Sequence, residues 1–128
     1  MLIVQLSGDF VFSDADVMNQ DYIKALTTDC WMTISIMDNV LFNDWICPLE
    51  LYFQYMNWKK EFLAGNVQSF HYISDDNTVN PILSFHLIDD QWAISSCLTD
   101  NSFRDKLSTA EVLRFFDSFE TQLFKHKE

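Results

Sequence analysis

The chain has 128 residues, 48% of them hydrophobic and 16% aromatic, with nineteen Asp and Glu against eight Lys and Arg for a formal net charge of −11. The apolar content excludes a disordered acidic tail, and the charge excludes a protein that tracks nucleic-acid phosphates or adheres to anionic lipid. With only two Gly and two Pro there is little linker material, so one compact domain over residues 1–128 is expected.

Residues 2–12 (LIVQLSGDFVF) read as an edge-type strand, with Leu2, Val4 and Leu6 on one face and Gly8 marking a bulge. This apolar start is short, lacks a basic flank and meets Asp9 early, so no signal peptide is expected. No stretch approaches the roughly 20 apolar residues of a membrane span. An acidic segment follows, in which a short helix around residues 19–27 would carry Tyr22, Ile23 and Leu26 on one side.

From Trp31 the pattern turns to period two: Met32, Ile34 and Ile36 share a face, the pair Asp38 and Asn39 suits a tight turn, and residues 40–45 return as a second strand. Pro48 after Cys47 opens a helix over residues 48–64. Its polar side chains Glu50, Gln54, Asn57 and Glu61 fall on one stripe, and nearly everything else is apolar, including Tyr55 and Trp58. So narrow a stripe means that the helix lies under several elements or shows an apolar flank to another chain.

Strands are expected over residues 68–74, 81–88 and 91–98, with Asp89 and Asp90 as a two-residue connection, making an antiparallel meander. Ser108 and Glu111 form a capping box for a helix running to about Lys125, with Val112, Phe116, Phe119 and Leu123 inward. The sum is an α+β domain: a mainly antiparallel sheet of five to six strands with two main helices on one face.

The chemistry-bearing residues are few. His71, His86 and Cys97 fall on consecutive strands but lack a metal-ligand spacing, and the two histidines are expected on the solvent face of the meander. The pairs Asp75–Asp76 and Asp89–Asp90 fit solvated turns better than acid–base dyads, and residues 75–80 lack the Gly and Glu of a calcium loop. No glycine-rich phosphate cradle or nucleophile elbow is present, so no enzyme activity, cofactor or metal is expected. Cys30, Cys47 and Cys97, odd in number, fit reduced thiols of a cytoplasmic protein.

The charge is unevenly placed. Residues 1–58 carry eight acids against Lys24 alone, and residues 61–103 carry six acids with no Lys or Arg. Such a surface steers a basic partner or serves solubility. The candidate partner-binding residues are Asp75, Asp76 and Asp100 at one sheet end, then Asp38 and Asp44, with Tyr55 and Trp58 as aromatic anchors or as ordinary core.

In this overall character, and in the segments WMTISIMD, NPILSFHLIDDQWAISS and STAEVLRFF, the chain resembles the immunity proteins of bacterial polymorphic toxin systems, above all those of contact-dependent growth inhibition. The resemblance implies a protein that binds and blocks a cognate toxin domain, often a basic nuclease, and it transfers no individual residue. The alternative is a structural or regulatory module that forms a homodimer through the 48–64 helix.

Overall fold

The computed structural model describes residues 2–75, 79–97 and 106–128. In chain order the elements are β1 (Leu2–Ser7), α1 (Asp14–Met18), α2 (Tyr22–Leu26), β2 (Cys30–Ile36), β3 (Asn39–Ile46), α3 (Pro48–Leu63), β4 (Phe70–Tyr72), β5 (Leu83–Ile88), β6 (Gln91–Ser95) and α4 (Thr109–Phe124). This is an α+β fold.

The strands form two antiparallel sheets of three, β1-β2-β3 and β4-β5-β6, where the sequence led us to expect one. Helical side chains take up backbone groups at one edge of each sheet. On β1, Gln122 of α4 accepts from the Leu6 amide at 2.9 Å and donates to the Val4 carbonyl at 2.6 Å. On β4, Gln54 of α3 accepts from the Ile73 amide at 3.0 Å just past the strand and donates to the Ile73 carbonyl at 2.7 Å. One helical glutamine thus satisfies backbone groups at the β1 edge and another just past β4.

Local chemistry accounts for most boundaries. Met37 and Asp38 both have positive φ, 48° and 67°, as do Asp89 and Asp90, 50° and 66°, giving the backbone twist of tight hairpin turns. The first of these turns sits one residue earlier than residues 38–39. Ser108 and Glu111 cap α4 reciprocally as expected, and Ser13 and Asp16 do the same for α1, which the acidic 13–18 segment did not advertise. The 19–27 region yields α2, capped by Asp21.

One continuous set of buried side chains joins both sheets and the helices. Val4, Met32, Ile34 and Phe42 come from the first sheet, Phe70, Phe85, Trp92 and Ile94 from the second. Helix α3 packs against α2, β4 and α4. Tyr55 stacks on Phe116 with ring centroids 4.3 Å apart, and Trp58 meets Phe70 and Trp92 edge to face, both at 6.0 Å. At the end of α4, His126 stacks on Phe10 at 3.9 Å and Lys127 pairs with Asp14 at 2.9 Å, which ties the C-terminal turn to the segment after β1. Among the described residues no helix is long and apolar enough to cross a membrane.

Candidate partner-binding surface

The carboxylates are largely unopposed. Among the described residues one ion pair forms, Lys127 with Asp14, while Asp9, Asp21, Asp29, Asp38, Asp75, Asp89, Asp90 and Asp117 are all exposed. Asp75 lies where α3 and the second sheet meet, its amide donating to Glu50 at 3.1 Å. Asp38 sits in the β2–β3 turn, at the other end of β3 from Glu50. The eight residues of β3 span roughly 25 Å at a strand rise of about 3.3 Å. The fold therefore does not bring Asp38 and Asp75 into one cluster. Asp76 and Asp100 lie outside the described residues. Asp44 is half-buried, and its carboxylate accepts from the Trp45 amide at 2.7 Å, so part of its charge is spent on its own strand.

Tyr55 and Trp58 are corrected outright as anchors: they are 1% and 5% exposed, inside the aromatic cluster. Burial, with Glu120 and Asp117 adding to it, pushes the Tyr55 phenol up to about 12. Trp58 spends its indole N–H on the Gln68 carbonyl at 2.7 Å. The α3 flank available to a second copy is correspondingly small, because Met56 and Leu63 are its only exposed large apolar side chains. The narrow polar stripe is explained inside the chain: α3 lies under several of its own elements.

That stripe is not a solvated face at its N-terminal end. Glu50 is 1% exposed, with Oε1 accepting from the Tyr72 hydroxyl at 2.9 Å and Oε2 from the Asp75 amide. Its place in the first turn of α3 suits a negative charge. Tyr72 also accepts from the Cys47 amide at 3.2 Å, so a hydroxyl and a carboxylate staple the start of α3 to the end of β4. Burial first, and the Glu50 charge next, hold the Tyr72 phenol well above its ordinary value.

The histidines do sit on the outer side of the meander. Nδ1 of His71 lies 2.7 Å from the Ser84 hydroxyl, Nε2 of His86 lies 2.9 Å from that of Ser95, and the rings are 5.5 Å apart. Burial and the neighbouring His86 lower the His71 pKa. Cys97, exposed, approaches the Val79 carbonyl at 3.5 Å, and among the described residues no three potential ligands gather into a metal site.

The sequence reading missed the outer face of the first sheet. Strand register sets three rows across β1, β2 and β3: Ser7–Trp31–Trp45, Gln5–Thr33–Asn43 and Ile3–Ser35–Val40. All nine side chains are exposed or half-buried and none is charged. Trp31 and Trp45 meet edge to face at 5.3 Å, and Trp45 is 55% exposed. Asn43 Oδ1 accepts from the Trp31 indole N–H and from the Thr33 hydroxyl at 2.9 Å, which fixes the rotamer against which Trp45 leans. The signal was present: the residues alternating with Met32, Ile34 and Ile36 are Trp31, Thr33 and Ser35.

A family model described as a domain of unknown function, DUF7878, matches residues 8–126. The chain belongs to the DUF7878 family. The match runs from Gly8, just after β1, to His126, at the turn that closes α4, so the family unit takes in both sheets except β1 itself. No curated protein and no solved structure matches the chain.

Proposed function

We propose that the protein is a non-catalytic inhibitory binding protein of the toxin-immunity type, which neutralises a cognate basic protein domain through its acidic surface. The observation that supports this reading is the unopposed charge: eight exposed aspartates, seven on turns and loops and Asp117 on α4, with one ion pair among the described residues. A net charge of magnitude about 2–8 already serves the solubility of a small domain, and this chain carries −11. Carboxylates in excess raise the rate at which a cation-rich face arrives, and they repel acidic competitors.

The test is association with the C-terminal domain of the protein encoded beside this gene, measured at low and at high salt. The reading expects a stable complex whose association rate falls steeply as salt screens the approach beyond about 10 Å. It also expects loss of the partner's activity on binding. No complex at low salt, or a complex that leaves that activity intact, refutes it.

A further inference from the structure

The outer face of the first sheet has the anatomy of a binding centre. Its nine residues form a charge-free field in a chain of net charge −11, with a preorganised tryptophan pair in one row. Carboxylates stand around it. Asp9 and Asp29 lie two residues beyond Ser7 and two before Trp31, off the open end of the tryptophan row. Asp38 occupies the turn beyond the Ile3–Ser35–Val40 row, whereas Asp44, opposite the buried Met32, points to the other face of the sheet. No Lys or Arg occurs in β1, β2 or β3.

We propose that this face is where the partner docks, with Trp45 as the aromatic anchor and Asp9, Asp29 and Asp38 as the rim. The occupant is a folded basic protein whose contact patch has an apolar centre ringed by Lys and Arg. This rests on the binding reading above and adds the surface that performs it. Rim complementarity selects the occupant: a second copy of this chain would set like-charged rims against each other, whereas a cationic rim pairs with all three aspartates. Dimensions point the same way. Three strands about 4.8 Å apart and three rows about 7 Å apart give a field well short of the roughly 800 Å² that each partner buries in a stable interface, so the charged border belongs to the contact. Trp is enriched among the residues that dominate interfaces, and Asn43 has already immobilised the ring against which Trp45 rests, so little freedom is lost on binding.

The experiment measures affinity for the same neighbouring domain, at low salt, for the wild type and for W45A, Q5K and Q5E, with an oligolysine peptide as a charge-only probe. Trp45 and Gln5 are both exposed, so the variants should unfold at the wild-type temperature, and that is measured first. The proposal expects W45A and Q5K each to weaken the complex by roughly tenfold or more, and Q5E to leave it within about threefold. It expects the neighbouring domain, but not oligolysine, to shield Trp45 from acrylamide quenching. If the wild type binds and W45A and Q5K bind equally well, the docking face is wrong while the binding reading stands. If the wild type binds nothing, both fall. A wild-type homodimer dissolved by W45A would also overturn the proposal.

Discussion

The Tyr72 hydroxyl donates to Oε1 of Glu50 at 2.9 Å, and the carboxylate that receives it is buried with no cation beside it among the described residues. Two donors and the start of a helix stabilise this charge where a salt bridge would be expected. E50A would remove the acceptor of the Asp75 amide and leave the Tyr72 hydroxyl with only the longer Cys47 carbonyl contact at 3.4 Å, and should cost about 2–4 kcal/mol of stability. E50Q keeps one acceptor but turns an amide N–H₂ toward a donor, and should cost about 1–2 kcal/mol. Urea unfolding of E50A, Y72F and the double variant gives the coupling directly. A coupling near zero would mean that the two side chains are neighbours without being partners.

Glu50 also shows where sequence reading stops. Its spacing with Gln54, Asn57 and Glu61 is that of a solvated stripe, and nothing in the one-dimensional pattern says that β4 will lie over its first half. Features set by local chemistry were legible: the β2–β3 and β5–β6 hairpins, Pro48 opening α3, and the Ser108–Glu111 box opening α4. Features set by long-range placement were not. The split into two sheets was not, nor were the edge bonds of Gln54 and Gln122, which are ordinary helix residues until a backbone edge arrives beside them. Asp44 reads as a surface acid, yet its carboxylate meets the next amide of an edge strand. Tyr55 and Trp58 read as core or anchor, with core the favoured reading, and they pack against Phe116 inside the core.

If Gln122 occupies the β1 edge as a strand would, its loss should act on β1 locally. Q122A removes the two hydrogen bonds to Leu6 and Val4, along with an exposed one to Ser118, and should cost about 1–2 kcal/mol. Q122E keeps the acceptor for the Leu6 amide but sets a carboxylate oxygen against the Val4 carbonyl, so it should be the less stable of the two. Amide exchange of residues 2–7 reads the effect. Unchanged protection of Leu6 in Q122A would show that the edge is held by packing alone.

The cysteines should separate sharply by reactivity. Cys97 is exposed, whereas Cys30 is fully buried, and burial with the nearby Asp29 charge pushes its thiol up to about 12. A thiol reagent at neutral pH should label Cys97 within seconds to minutes and leave Cys30 untouched until the chain unfolds. Rapid labelling of Cys30 in the native protein would contradict the packing around β2.

Stability should have opposite slopes at the two ends of the pH scale. His71 has a lowered pKa, so between that value and the ordinary 6.5 the unfolded chain binds the proton that the folded chain refuses. Stability is then complete above pH 6.5 and falls as acid is added through this window. His71 is too exposed for the effect to be large, and H71N should flatten the slope without removing it, because other groups titrate at lower pH. Tyr55 behaves in the reverse sense: with its phenol raised from 10.0 to about 12, the folded state keeps a proton that the unfolded state has lost. Its contribution is whole below pH 10 and disappears as pH climbs through about 12. Unfolding free energies measured across both windows, with phenolate absorbance followed in the alkaline one, check the signs. Ionisation of Tyr55 near pH 10 in the still-folded protein would mean that its ring lies closer to water than its stack on Phe116 allows.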